Sequence, residues 1–113
     1  MSAHPNDLSA NWLPFTPNRQ FKREPRIVSR AKDTSYFKPD GTEVLDATAG
    51  LWCSNAGHCR EPIVKAIQDQ AGELDFAPTF QFGHPKVFEL ATRITDLMPG
   101  DLDHVLFCNS GSE

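Results

Sequence analysis

The last five residues of the sequence, Asn109-Ser110-Gly111-Ser112-Glu113, combine the residue types that bind an anion. Glycine lets the backbone turn so that successive N–H groups converge, and serine hydroxyls add donors. A helix opening at the acidic residue would aim its positive end at the same spot. A phosphate or a carboxylate suits such a cup. The same residues also suit an ordinary strand-to-helix connection, because Ser and Asn are common helix caps. The second candidate is the stretch 46–58, where Gly50 and Gly57 flank small residues and one large side chain, Trp52. It reads either as a loop approaching a ligand or another strand, or as a glycine-lined turn with Trp52 as a core anchor.

Other reactive side chains carry less. Cys53, His58 and Cys59 fit no closed zinc spacing and lack a nearby fourth ligand, so no metal site is expected. With Cys108 the thiols are odd in number, which points away from a disulfide framework and toward reduced, partly buried cysteines. Lys22, Lys32, Lys38, Lys65 and Lys86 sit in polar, tail, turn or helix-surface contexts, none desolvated enough to make an activated amine.

The elements that must position these residues follow from local signals. Pro5, Pro14, Pro17 and Pro25 deny residues 1–26 a long helix and favour an extended tail that needs a partner surface. Between residues 27 and 46, Tyr36-Phe37 and Val44-Leu45 flank Lys38-Pro39-Asp40-Gly41-Thr42, and the Asp-Gly pair tolerates the positive φ of a tight reversal. A short β-hairpin or meander is predicted. Pro62 opens an amphipathic helix over 61–74 with Ile63, Val64, Ile67, Ala71 and Leu74 on one face. After an aromatic, irregular stretch, Pro85 opens a second helix through Met98, stopped by Pro99-Gly100. His104-Val105-Leu106-Phe107-Cys108 is predicted as a buried strand, whose neighbours in a parallel sheet this sequence does not contain.

Composition narrows the function. The 113 residues are 39% hydrophobic and 23% charged, which is globular rather than disordered. The net charge is -4, and no basic run alternates with stacking aromatics, so nucleic acid is excluded as an expected partner. No stretch approaches the ~20 apolar residues of a membrane span, and the polar start lacks a secretory signal, so a cytoplasmic protein is expected.

The order of Phe15-Thr16-Pro17, the 36–46 hairpin, Gly50-Leu51-Trp52-Cys53-Ser54-Asn55-Ala56-Gly57-His58, the 80–85 stretch and the terminal turn resembles the class III aminotransferases. The likeness covers nearly the whole chain. Leu51-Trp52-Cys53 and Leu13-Pro14-Phe15-Thr16-Pro17-Asn18-Arg19 are most similar to the ω-amino acid:pyruvate subgroup, of which β-alanine:pyruvate aminotransferase is the type.

The resemblance implies an α/β fold-type I transferase dependent on pyridoxal 5'-phosphate (PLP). Residues 1–58 would be the amino-terminal segment and hairpin of its small domain, and 59–113 the start of the large PLP-binding domain, truncated in the phosphate-binding turn. It implies transfer of an amino group from an ω-amino acid or amine to pyruvate, by a homodimer or homotetramer. Ser110, Gly111 and Ser112 match the cofactor-phosphate turn, with the Gly111 and Ser112 N–H groups and the Ser112 hydroxyl as donors. Trp52, Leu51 and Phe15 match pocket-wall positions, and Phe80 matches one that reaches a neighbouring subunit's site. Phe82 and His84 are expected to pack or to open a helix. The lysine that bonds to the cofactor is expected beyond residue 113, so no catalytic residue is assigned and the piece alone is expected to be inactive. The alternative from another class is a free-standing anion-binding or interaction module.

Overall fold

The computed structural model describes residues 7–113. Pro5 and the first residues of the proline-rich tail lie outside them. Two compact units form, Met1–Gln68 and Asp69–Glu113.

In the first unit the tail is not wholly extended. A six-residue helix, α1 (Asn18–Arg23), fits between Pro17 and Pro25. Pro17 needs no N–H at a helix entrance, and its carbonyl accepts the Phe21 N–H at 3.0 Å. Asn18 ties the preceding segment down. Its carboxamide accepts the Leu13 N–H at 2.9 Å and donates to the carbonyls of Leu13 at 2.8 Å and Thr16 at 2.9 Å. Those bonds explain why this polar residue is buried, at 5% exposure.

The predicted meander forms as three short antiparallel strands in sequential order: β1 (Arg30–Lys32), β2 (Ser35–Phe37) and β3 (Glu43–Leu45). Tyr36 sits at the centre, paired with Ala31 on one side and Val44 on the other. The β2–β3 turn uses the expected chemistry: Gly41 has φ +86, the Lys38 N–H donates to the Thr42 carbonyl, and the Asp40 carboxylate accepts the Thr42 N–H. Ser35 donates to the Glu43 carboxylate at 2.6 Å, and the Arg30 guanidinium lies 3.8 Å from the centre of the Phe37 ring.

Two helices follow, α2 (Glu61–Glu73) and α3 (Pro85–Thr95), with the predicted starts. The boundary between the units falls within α2. His84 caps α3 as its sequence position suggests: its Nδ1 accepts the Lys86 N–H at 3.1 Å, which leaves the proton on Nε2, 3.4 Å from the Leu74 carbonyl. Residues 96–101 are turns rather than a continuation to Met98.

The predicted terminal strand does not form. Residues 104–108 form no strand, and Leu106 is 92% exposed. An apolar run becomes a strand only when neighbouring backbone satisfies its N–H and C=O groups, and none does so here. The apolar faces of the helices are likewise uncovered: among the described residues no hydrophobic side chain is buried, and Ile67, Phe88 and Leu90 are exposed. No described helix is long and apolar enough to cross a membrane.

Candidate functional site

The loop from β3 to α2 is organised by one carboxylate. Asp46 Oδ1 accepts the Thr48 N–H and hydroxyl, each at 3.0 Å, and Oδ2 accepts the Gly50 N–H at 2.7 Å. Oδ2 also lies 2.7 Å from His58 Nε2, in a pair whose side chains are only 4% and 11% exposed for Asp46 and His58. The His58 hydrogen bond is the main reason the Asp46 carboxyl falls from its usual 3.8 to about 2; burial opposes it, and the Thr48 and Gly50 bonds lower it further. An ionised Asp46 can only accept, so His58 Nε2 donates.

His58 is fixed from both sides. Its N–H donates to the Asp33 carbonyl at 2.7 Å and its carbonyl accepts the Asp33 N–H at 2.9 Å, while its ring lies 4.6 Å from the Tyr36 ring. Burial, then the Asp46 charge, pushes the Tyr36 phenol upward, so it remains a neutral donor at physiological pH.

Within this frame Ala49, Gly50, Leu51 and Trp52 have φ of 49, 59, 56 and 70°, a consecutive left-handed run. Non-glycine residues rarely occupy that region in succession, because each costs ~1–2 kcal/mol. The Trp52 N–H donates to the Thr48 carbonyl at 3.1 Å and the Ser54 N–H to the Ala49 carbonyl at 2.9 Å, closing the turn. The run turns its large side chains outward: Leu51 is 71% and Trp52 86% exposed. Trp52 is therefore no core anchor of the described chain.

The other predicted wall residues are also exposed. Phe15, with φ 50°, belongs to the first unit, and no ring contact joins it to Trp52 among the described residues. Phe80 belongs to the second unit and precedes Gln81, whose φ is 65°. A groove of about 540 Å³ lies between α1 and the β2–β3 turn, lined by Phe21, Ile27 and Pro39 among others. It contains none of the predicted site residues.

The terminal turn lies in the second unit. Glu113 Oε2 accepts the Asn109 N–H at 2.9 Å and the Ser110 hydroxyl at 3.0 Å, while the Glu113 N–H donates to the Ser110 carbonyl at 3.3 Å. The groups that meet this carboxylate belong to Asn109 and Ser110, not to the expected donors Gly111 and Ser112. The Gly111 and Ser112 N–H groups and the Ser112 hydroxyl have no protein acceptor among the described residues, and nothing lies within 4 Å of where a Gly111 Cβ would stand. These donors fit the phosphate of a cofactor in chemistry.

Cys53, Cys59 and Cys108 are unpaired and exposed, not partly buried. The described residues hold no group of three or more metal-ligand side chains. Asp46 is the organising residue that sequence reasoning passed over. Its signal is Asp-x-Thr-x-Gly over residues 46–50, an acceptor with local donors two and four residues on.

Comparison with known proteins agrees with the motifs. Residues 17–113 match the family model described as aminotransferase class-III. The chain is 56% identical over 108 residues to an ω-aminotransferase of Caulobacter vibrioides, covering 96% of this chain and 25% of that protein. It is 47% identical over 106 residues to an ω-amino acid–pyruvate aminotransferase of Pseudomonas putida, covering 94% and 24%. It is 46% identical over 107 residues to a β-alanine–pyruvate aminotransferase of Pseudomonas aeruginosa, covering 95% and 24%. The chain spans about a quarter of the length of these curated relatives.

Among solved structures it resembles an (S)-enantioselective ω-transaminase from Thermomicrobium roseum, with TM-score 0.75 and 37% identity over 81% of this chain and 21% of that one. It also resembles an amine transaminase from an uncultivated Pseudomonas species in its PLP-bound form, with TM-score 0.70 and 33% identity over 80% and 21%. The helices and sheet described above are part of the α/β fold-type I architecture of those transaminases.

Proposed function

Because the chain belongs to the class III aminotransferases, we propose that the protein moves an amino group from an ω-amino acid such as β-alanine, or from an amine, to pyruvate. The observation that carries this reading is the 46–47% identity, over at least 94% of the chain, to relatives named for ω-amino acid–pyruvate or β-alanine–pyruvate transfer. Its cofactor is PLP, which supplies the aldehyde that accepts and returns the amino group.

Gly111 and Ser112 offer their N–H groups, and Ser112 its hydroxyl, to the cofactor phosphate, with Ser110 turning the chain into the cup. Leu51, Trp52, Phe15 and Phe80 form apolar walls that strip water from the donor's methylene chain while its amine meets the aldehyde. Lys86 pairs with Glu89 at 2.9 Å and Lys22 donates to the Ser9 carbonyl at 2.7 Å, which suits neither to bonding with a cofactor. The lysine that does so is supplied by the complete protein. Residues 1–58 are the front of its small domain and 59–113 the start of the large one. It works in the cytoplasm as a homodimer or homotetramer, whose contacts would cover exposed aromatics such as Phe15 and Phe80. A free-standing module draws no support from burial, since the described elements bury no hydrophobic side chain of their own.

The test is alanine formation by the full-length protein from pyruvate with β-alanine or a simple ω-amine. Activity that depends on added PLP is expected, and Ser112→Ala should retain PLP about tenfold less well, as loss of a hydrogen bond to a charged group predicts. No alanine from any ω-amino acid or amine would sink the reading.

A further inference from the structure

The left-handed run at Ala49, Gly50, Leu51 and Trp52 is conformationally costly, yet it buries neither of its large side chains. A loop that only joined β3 to α2 would gain from glycines at strained positions. What holds the run open is found outside it. Asp46 gathers the Thr48 and Gly50 N–H groups, the Thr48 hydroxyl and His58 Nε2 on one carboxylate. His58 in turn is pinned to Asp33 through both backbone groups and rests against Tyr36, whose own position is fixed by pairing with Ala31 and Val44. The sheet therefore sets the histidine, the histidine sets the carboxylate, and the carboxylate sets the turn.

We propose that Asp46 and His58 are positioning residues, which hold Leu51 and Trp52 on a preformed left-handed turn as a fixed apolar edge for the methylene chain of the amine donor. The inference rests on the pocket-wall reading of Leu51 and Trp52. Strain kept by surrounding contacts and displayed side chains go together where a site is preorganised rather than formed by the arriving ligand. Neither residue touches the donor. Their effect reaches it through the placement of two side chains, so it should appear in donor binding and scale with donor length.

The test uses the full-length holoenzyme with Asp46→Asn, His58→Leu and His58→Gln, the last keeping an N–H donor for Asp46. Hydrogen exchange of residues 47–57 should quicken about tenfold or more in Asp46→Asn and His58→Leu, the size expected for losing a charge-assisted hydrogen bond. His58→Gln should restore most of the protection, which separates lost positioning from general misfolding. In the first two variants KM should rise about tenfold for long ω-amines and less for β-alanine, with kcat changed less than KM. Unchanged exchange in both overturns the positioning role, whatever the enzyme's activity. Faster exchange with KM unchanged for every donor also overturns the proposal, because it removes Leu51 and Trp52 from the pocket while leaving the aminotransferase reading intact.

Discussion

Replacing Gly57 by alanine should loosen the site loop through a contact with Asp33. Gly57 has φ +92, and a Cβ there would lie 3.3 Å from the Asp33 carbonyl oxygen and 3.4 Å from Arg60 Cδ. The arginine stem can move. The carbonyl cannot, because it accepts the His58 N–H at 2.7 Å in the bridge that fixes His58 beneath Asp46. Alanine in the left-handed region costs ~1–2 kcal/mol, and weakening the two bridge hydrogen bonds adds ~0.5–1.5 kcal/mol each. The sum is about 2–5 kcal/mol, and at ~1.4 kcal/mol per decade the His58 amide should exchange roughly thirtyfold to a few thousandfold faster. Gly72→Ala is the control. It lies in α2 with nothing within 4 Å of the added carbon, and should stabilise its helix by ~0.5–1 kcal/mol. Native-state hydrogen exchange of the full-length protein reads both. Unchanged His58 protection in Gly57→Ala, or an equal loss in Gly72→Ala, would refute the reasoning.

Asn18→Ala should free the segment that carries Phe15, because the carboxamide makes three hydrogen bonds to Leu13 and Thr16; at ~0.5–1.5 kcal/mol each the loss is about 1.5–4.5 kcal/mol, seen as faster proteolysis within residues 12–17 while cleavage elsewhere is unchanged. Acid should release the 46–58 loop late. Asp46 is depressed from 3.8 to about 2, so its contribution is fully present above 3.8 and is lost as pH falls through about 2. His58 and Tyr36 face this carboxylate, and Tyr36 stays neutral throughout that range. Exchange of residues 47–57 against pH should show this acid step, and Asp46→Asn should abolish it; a step centred above 3.8 would contradict the pairing.

The parts of the fold that were legible in the sequence are those decided by neighbours in the chain. Asp40-Gly41 sets its own turn, and Pro62 and Pro85 open helices by lacking an N–H that a first turn does not need. His84 caps α3 with its own ring. The short helix α1 escaped notice because two prolines within the same segment pointed to an extended chain, whereas Pro17 serves as an entrance and Pro25 as a stop. The stretch 104–108 shows the converse. Val105, Leu106 and Phe107 have the composition of a buried strand, but strand formation needs hydrogen-bonding partners from elsewhere, and periodicity carries no information about them.

The candidate site divides along the same line. The terminal turn was read from residue types that lie side by side, and its contacts are equally local: Glu113 Oε2 accepts the Asn109 N–H and the Ser110 hydroxyl. The left-handed run was not, since Ala49, Leu51 and Trp52 have no intrinsic reason to leave the right-handed region. Their conformation depends on Asp46, whose decisive partner His58 lies twelve positions on, and on a bridge from His58 back to Asp33 in the β1–β2 turn. Residue types announced that the loop approaches something. The contact between two distant side chains is what holds the backbone of Leu51 and Trp52 in its left-handed turn, the fixed placement an apolar pocket edge requires.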